Sequence, residues 1–81
     1  MRYTGSMKDV QRITFNPKIL GGKPIIKGTR ISVEFVLELL ASGMGEGEIL
    51  REYPSLTRAD IRAVLGYAAT SVKREEVVLA K

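Results

Sequence analysis

The chain has 81 residues, which allows one small domain whose core alone gives only marginal stability. Its composition, 44% hydrophobic and 27% charged, is that of a globular protein and excludes wholesale disorder. The sequence contains no histidine and no cysteine, so it lacks the base of a catalytic triad, the usual zinc ligands and any disulfide. We therefore expect a protein that is not an enzyme, holds no metal or cofactor and works in the cytoplasm. No run approaches the ~20 apolar residues of a membrane span.

The charge is uneven along the chain. Residues 1–32 carry seven basic side chains against one acidic, a net charge of +6, and residues 33–81 carry six basic and eight acidic, a net charge of −2. A basic N-terminal half is typical of a surface that contacts phosphates, although many proteins show it by chance.

The N-terminal part alternates turn signals with short apolar segments. Residues 1–11 have no periodicity and include Gly5-Ser6-Met7, so we treat them as a flexible extension, of which residues 1–7 need not be native. Residues 12–15 predict a short strand that ends at a turn. Residues 24–31 predict a small hairpin, or an extended arm kinked at Gly28. Such short strands must pair with each other or with a second subunit.

Two helices follow. Ser32 is a good N-cap for a helix from Val33 to about Ser42, which Gly43 ends. This helix is apolar on most sides, which predicts either a central position or a subunit interface, and we expect a homodimer. The next helix should run from about Glu46 to Glu52, because Pro54 stops it.

The last helix has the strongest pattern. Thr57 and Asp60 form a capping box before a run to Val72. An apolar stripe predicts the face toward the core: Ile61, Val64, Leu65, Ala68 and Val72. On the opposite side a ridge of small residues is expected at the surface: Ala59, Ala63, Gly66 and Thr70, flanked by Arg58 and Arg62. Such a ridge permits the close approach of another backbone or of a nucleic-acid groove. Alternatively, it is an ordinary solvated face that is rich in alanine because alanine favours helices.

The predicted order is an apolar helix, then a short helix, a short turn and a longer helix. This order is the outline of a helix-turn-helix. The second helix of this motif contacts DNA by its N-terminal residues, here Thr57, Arg58, Ala59 and Arg62. Basic residues of the arm would contact phosphates or the minor groove, or simply form a basic surface: Lys23, Lys27 and Arg30. The three glutamates of the middle helix, Glu46, Glu48 and Glu52, oppose DNA binding.

Several segments together resemble the family known as domain of unknown function 433. They are Ile13-Thr14-Phe15-Asn16-Pro17, residues 21–31 (Gly-Gly-Lys-Pro-Ile-Ile-Lys-Gly-Thr-Arg-Ile), residues 39–44, residues 48–50, residues 53–57 and residues 60–63. The resemblance implies a mostly α fold: a three-helix, homeodomain-like helix-turn-helix with a short N-terminal β element, spanning residues 12–72. It also implies a VapB-type antitoxin paired with a PIN-like nuclease toxin. In place of the family's usual Ser-Pro start to the middle helix, this chain has Gly45-Glu46-Gly47.

Residues 73–81 form a C-terminal tail with an apolar cluster, Val77, Val78 and Leu79. Such a cluster folds back onto the domain or docks on a partner, and we favour the partner, the toxin. The competing hypothesis is a protein-interaction and dimerisation module without DNA binding. In that case the helix of residues 33–41 and the N-terminal strands would form the interface.

Overall fold

The computed structural model describes the backbone of residues 11–79 and the side chains of residues 11–73. Two short strands, β1 (Ile13–Phe15) and β2 (Pro24–Ile26), precede three helices: α1 (Val33–Ala41), α2 (Glu46–Glu52) and α3 (Arg58–Leu79). The expected mostly helical fold with a short N-terminal β element is confirmed. The helix α3 passes Val72 without interruption and continues to Leu79.

The two strands pair with each other within the chain. They are antiparallel, with Ile13 opposite Ile26 and Phe15 opposite Pro24. The reversal between them uses Gly21 and Gly22, whose φ angles of 66° and 87° strain any residue with a Cβ. After β2 the chain turns back again, and the Ile26 amide donates to the carbonyl of residue 31 at 2.9 Å. The predicted small hairpin after residue 24 is therefore present as well.

Local capping sets where α1 and α2 begin and end. The Ser32 hydroxyl accepts a hydrogen bond from the Phe35 amide at 2.9 Å, which satisfies a donor of the first turn of α1. Gly43 ends that helix with φ 99°, as predicted. The rings of Phe35 and Tyr53 then meet edge to face at 5.5 Å, which joins α1 to the end of α2.

The first turn of α3 is held by reciprocal hydrogen bonds, as the capping box predicts. The Thr57 amide donates to Asp60 Oδ2 at 2.9 Å, and the Asp60 amide donates to Thr57 Oγ1 at 3.2 Å. The other oxygen of this carboxylate, Oδ1, accepts from Arg12 Nη1 at 3.1 Å. Asp60 thus connects the start of α3 to the residue just before β1, 48 positions earlier in the chain.

One apolar core lies where the hairpin and the three helices meet. Its members come from β2, from all three helices and from the turn before α3: Ile26, Val33, Val36, Ile49, Leu56, Ile61 and Val64. The hairpin therefore packs against the helices and covers one side of the core.

Candidate nucleic-acid interface

Four of the seven residues predicted to contact DNA lie at the start of α3, and three of these four are exposed. Thr57, Arg58 and Arg62 are exposed, and Ala59 is half-buried. At about 100° per residue, Arg58 and Arg62 lie within about 40° of each other on the side away from the core. The capping box fixes the direction in which this helix end points.

Both arginines have interactions within the protein. Arg58 Nη1 forms an ion pair with Glu46 Oε1, and Arg62 also has a partner. The Arg58 side chain is 63% exposed and that of Glu46 is 37% exposed, so water screens the pair. Exposed ion pairs of this kind contribute at most about 1 kcal/mol, so a phosphate can replace the carboxylate at small cost.

The small-residue ridge predicted on α3 is wrong at two of its four positions. Ala63 is 2% exposed and Gly66 is buried, whereas both were expected at the surface. The predicted apolar stripe is confirmed at Ile61 and Val64, which are 2% and 0% exposed, and wrong at Leu65 and Val72, which are 48% and 59% exposed. Asp60, Ala63 and Gly66 lie on one face of α3, and the hydrogen bond from Arg12 to Asp60 holds that face toward the body of the protein.

The three cations of the arm are separated by the fold. Lys23 Nζ pairs with Glu34 Oε1 of α1 at 3.0 Å. Lys27 lines a recess of about 340 Å³ beside the first turn of α3, together with Arg12 and Asp60. Arg30 lines a different recess, next to Phe15. Of the three, Lys27 is the one that the structure brings to the start of α3.

Arg12 was missed as a residue of this site, although it was counted in the basic half of the chain. No local signal in the sequence connects it to Asp60, because the two are joined only when β1 packs on α3. The side chains of the proposed toxin-binding cluster, Val77, Val78 and Leu79, lie outside the described residues, as do residues 1–7.

Among the side chains that the structure describes, those of residues 11–73, no group of three acidic residues is placed to hold a metal ion. Within the described backbone, residues 11–79, no helix combines the length and the apolar character needed to cross a membrane.

Comparison with known proteins gives three results. The family described as "Protein of unknown function (DUF433)" matches residues 13–68. The uncharacterized protein y4eO of Sinorhizobium fredii is 37% identical over 62 residues, which cover 76% of this chain but only 28% of that protein. The crystal structure of a DUF433 member protein from Anabaena variabilis superposes with a TM-score of 0.72 at 28% identity, covering 86% of this chain and 69% of the other. This chain thus spans less than a third of the length of y4eO. Because the family match covers most of this chain, the chain belongs to the DUF433 family, whose function is unknown.

Proposed function

We propose that the protein is the antitoxin of a toxin–antitoxin pair, acting by binding and not as an enzyme. In this proposal α2 and α3 form a helix-turn-helix that binds DNA, and the C-terminal tail neutralises a PIN-like nuclease by direct contact. Both activities place the protein in the cytoplasm.

The observation that supports DNA binding is the arrangement of cations around the start of α3. Arg58 and Arg62 lie on its outward side, and Lys27 lies beside the same turn, across Asp60. A helix about 10–12 Å wide fills a major groove about 12 Å wide, with a phosphate backbone on each side. Cations on both sides of one helix end suit that environment.

Arg58 must exchange its partner when DNA binds. Glu46 lies at the start of α2 and holds Arg58 through an exposed ion pair. A phosphate offers the same charge in the same hydrogen-bonding geometry, and it releases condensed counterions as it binds. The exchange is therefore favourable at low salt and becomes weaker as salt concentration rises.

The test is fluorescence anisotropy with a labelled duplex from the region upstream of the protein's own gene, measured over a range of salt concentrations. The double variant Arg58→Gln, Arg62→Gln should lose affinity, and the slope of log K against log salt should become shallower by about 0.9 for each lost phosphate contact. Arg51→Gln is the control for charge, because it removes one positive charge, half of the change in the double variant, from an exposed site in the last turn of α2. If the double variant keeps the affinity and slope of the wild type, α3 is not the recognition helix.

The antitoxin part rests on the family resemblance and on the apolar tail. Its test is co-expression with any PIN-like nuclease encoded by the neighbouring gene. We expect growth to be rescued by the wild type and not by a variant with Val77, Val78 and Leu79 changed to serine. Substitution is preferable to deletion because α3 runs to Leu79, so a deletion would also shorten the helix. Rescue by the serine variant would exclude the tail as the contact.

The second candidate, an interaction module without DNA affinity, is favoured by the charge of α2. This seven-residue helix carries Glu46, Glu48 and Glu52, and they would face the phosphates of DNA bound at α3. The same titration separates the two candidates: an interaction module shows no binding even at about 50 mM salt, where electrostatic attraction is strong.

A further inference from the structure

A recess of about 510 Å³ lies on the outer face of the hairpin. Side chains alternate along a strand, so Ile13 and Ile26 point toward the core while their neighbours Thr14 and Ile25 point the other way. Thr14 and Ile25 both line the recess. All its lining residues lie between positions 14 and 30, so it is separate from the start of α3, where the DNA contacts are proposed.

The segment that forms this recess carries positive charge only. Residues 11–33 contain five basic side chains and no acidic one. Two of the five are paired with acidic residues of α1 and α3. Arg30, which lines the recess, forms no ion pair with any side chain of residues 11–73, those that the structure describes. A recess with a cation and without a carboxylate in its lining attracts an anion.

The lining residues also carry hydrogen-bond donors that the described part of the protein does not use. Asn16 Oδ1 accepts from the Lys18 amide at 2.9 Å, so the Nδ2 group is the end of this side chain that can still donate. The Thr14 hydroxyl forms no hydrogen bond with the described residues, 11–79. Both side chains line the recess. The strand and the turn after it therefore each supply one donor.

The turn between β2 and α1 supplies the remaining donors. Gly28 lies in this turn with φ 82°, and a turn with a residue in that region can present its N–H groups to an anion. The amides of Gly28 and Arg30 have no acceptor within the described chain, positions 11 to 79. The Thr29 hydroxyl is used inside the turn instead, because it donates to the carbonyl of residue 26 at 2.8 Å.

We propose that this recess binds a phosphate group, with Arg30 as the charged donor and Thr14 and Asn16 as neutral donors. A carboxylate offers two oxygens, whereas a phosphate group offers at least three, so donors from three separate segments fit a phosphate better. The volume of about 510 Å³ is in the range of pockets that hold small organic ligands, so the phosphate belongs to a larger ligand whose apolar part contacts Ile25. A free nucleotide and a nucleic-acid backbone both carry such a group.

The test is an NMR titration of the full chain with inorganic phosphate at constant ionic strength, without DNA. The amide resonances of residues 28–30 should shift and saturate. Arg30→Gln should raise the dissociation constant about tenfold, because it removes a charge-assisted contact. Thr14→Val keeps the shape of the side chain without its hydroxyl and should raise the constant about threefold. Lys18→Gln is the matched control, because Lys18 is exposed and does not line the recess, and this variant should bind like the wild type.

Shifts that do not saturate, wild-type affinity in Arg30→Gln or Thr14→Val, a loss in Lys18→Gln equal to that in Arg30→Gln, or acetate bound as tightly as phosphate would each overturn the proposal. Adenosine monophosphate and the labelled duplex then separate the two sources. For a free nucleotide, adenosine monophosphate binds more tightly than inorganic phosphate and Arg30→Gln leaves duplex binding unchanged. For a nucleic-acid backbone, Arg30→Gln makes the salt slope of duplex binding shallower by about 0.9. The phosphate titration itself does not depend on DNA binding at α3.

Discussion

Substitution of Asp60 by alanine is expected to lower the free energy of unfolding by about 2–3 kcal/mol. The carboxylate makes two hydrogen bonds, one to the Thr57 amide at 2.9 Å and one to Arg12 Nη1 at 3.1 Å. Losing the bond to the amide costs about 1 kcal/mol, the usual value for a helix cap. Losing the bond to a charged partner costs about 1.5–3 kcal/mol, and the lower end applies because the Arg12 side chain is 41% exposed to water.

Urea denaturation followed by circular dichroism, at one fixed protein concentration, measures this change. In thermal unfolding the same loss corresponds to a shift of about 10–20 °C for a domain of this size. Thr57→Ala is the matched control. It removes only the reciprocal bond from the Asp60 amide and should cost about 0.5–1 kcal/mol.

A double-mutant cycle with Arg12→Met and Asp60→Asn isolates the contact between β1 and α3, because asparagine retains an acceptor for the Thr57 amide. We expect a coupling energy of about 1 kcal/mol. A coupling energy near zero, or an alanine variant as stable as the wild type, would contradict this expectation. In either case the buried carboxylate would not hold the start of α3.

Three further predictions test the described geometry. Gly47→Ala should stabilise the protein by up to about 1 kcal/mol, since this glycine lies within α2 with open space around it. Gly43→Ala should destabilise the protein by about the same amount, because the φ angle of Gly43 is 99°. Thermal unfolding of the two variants compares these effects. Ala63→Leu should lower the free energy of unfolding by about 1–3 kcal/mol, because Ala63 is buried and leucine would overpack the site. Ala69→Leu should leave the free energy of unfolding nearly unchanged, because Ala69 is exposed. Equal effects of the two substitutions in urea denaturation would contradict the orientation of α3. Glu46→Gln should tighten DNA binding in the anisotropy assay by releasing the arginine it pairs with, and unchanged affinity would exclude that arginine as a phosphate contact.

The start of each helix and the end of α1 could be predicted from the sequence because local residues determine them, whereas α3 continues beyond Val72 to Leu79. Ser32 caps α1, Gly43 ends it, and the Thr57–Asp60 box starts α3, each through hydrogen bonds or backbone conformations within a few residues. The pairing of β1 with β2 was one of two expected arrangements. It follows from one reversal, at Gly21 and Gly22, whose glycines could be recognised in the sequence.

The orientation of α3 could not be predicted in the same way. The large apolar residues Leu65 and Val72 indicated one face, but the chain buries Asp60, Ala63 and Gly66 on another. Burial of Asp60 depends on Arg12, which is distant in the sequence, and small residues give no directional signal because they fit both a core and a surface. The observed candidate site also differs from the predicted one, because of the arm's three cations only Lys27 lies at the start of α3.

The position of Ile26 has a practical consequence for anyone who wishes to work with the trihelical portion alone. This side chain is 1% exposed and belongs to β2, yet it fills the core shared by the helices. An excised fragment that begins at α1 would leave a hole lined by valines and isoleucines. It would also lose the Arg12 contact that fixes the opening turn of α3. The smallest transplantable unit therefore begins before β1, and a chimaera that grafts only the three helices onto another protein should not fold.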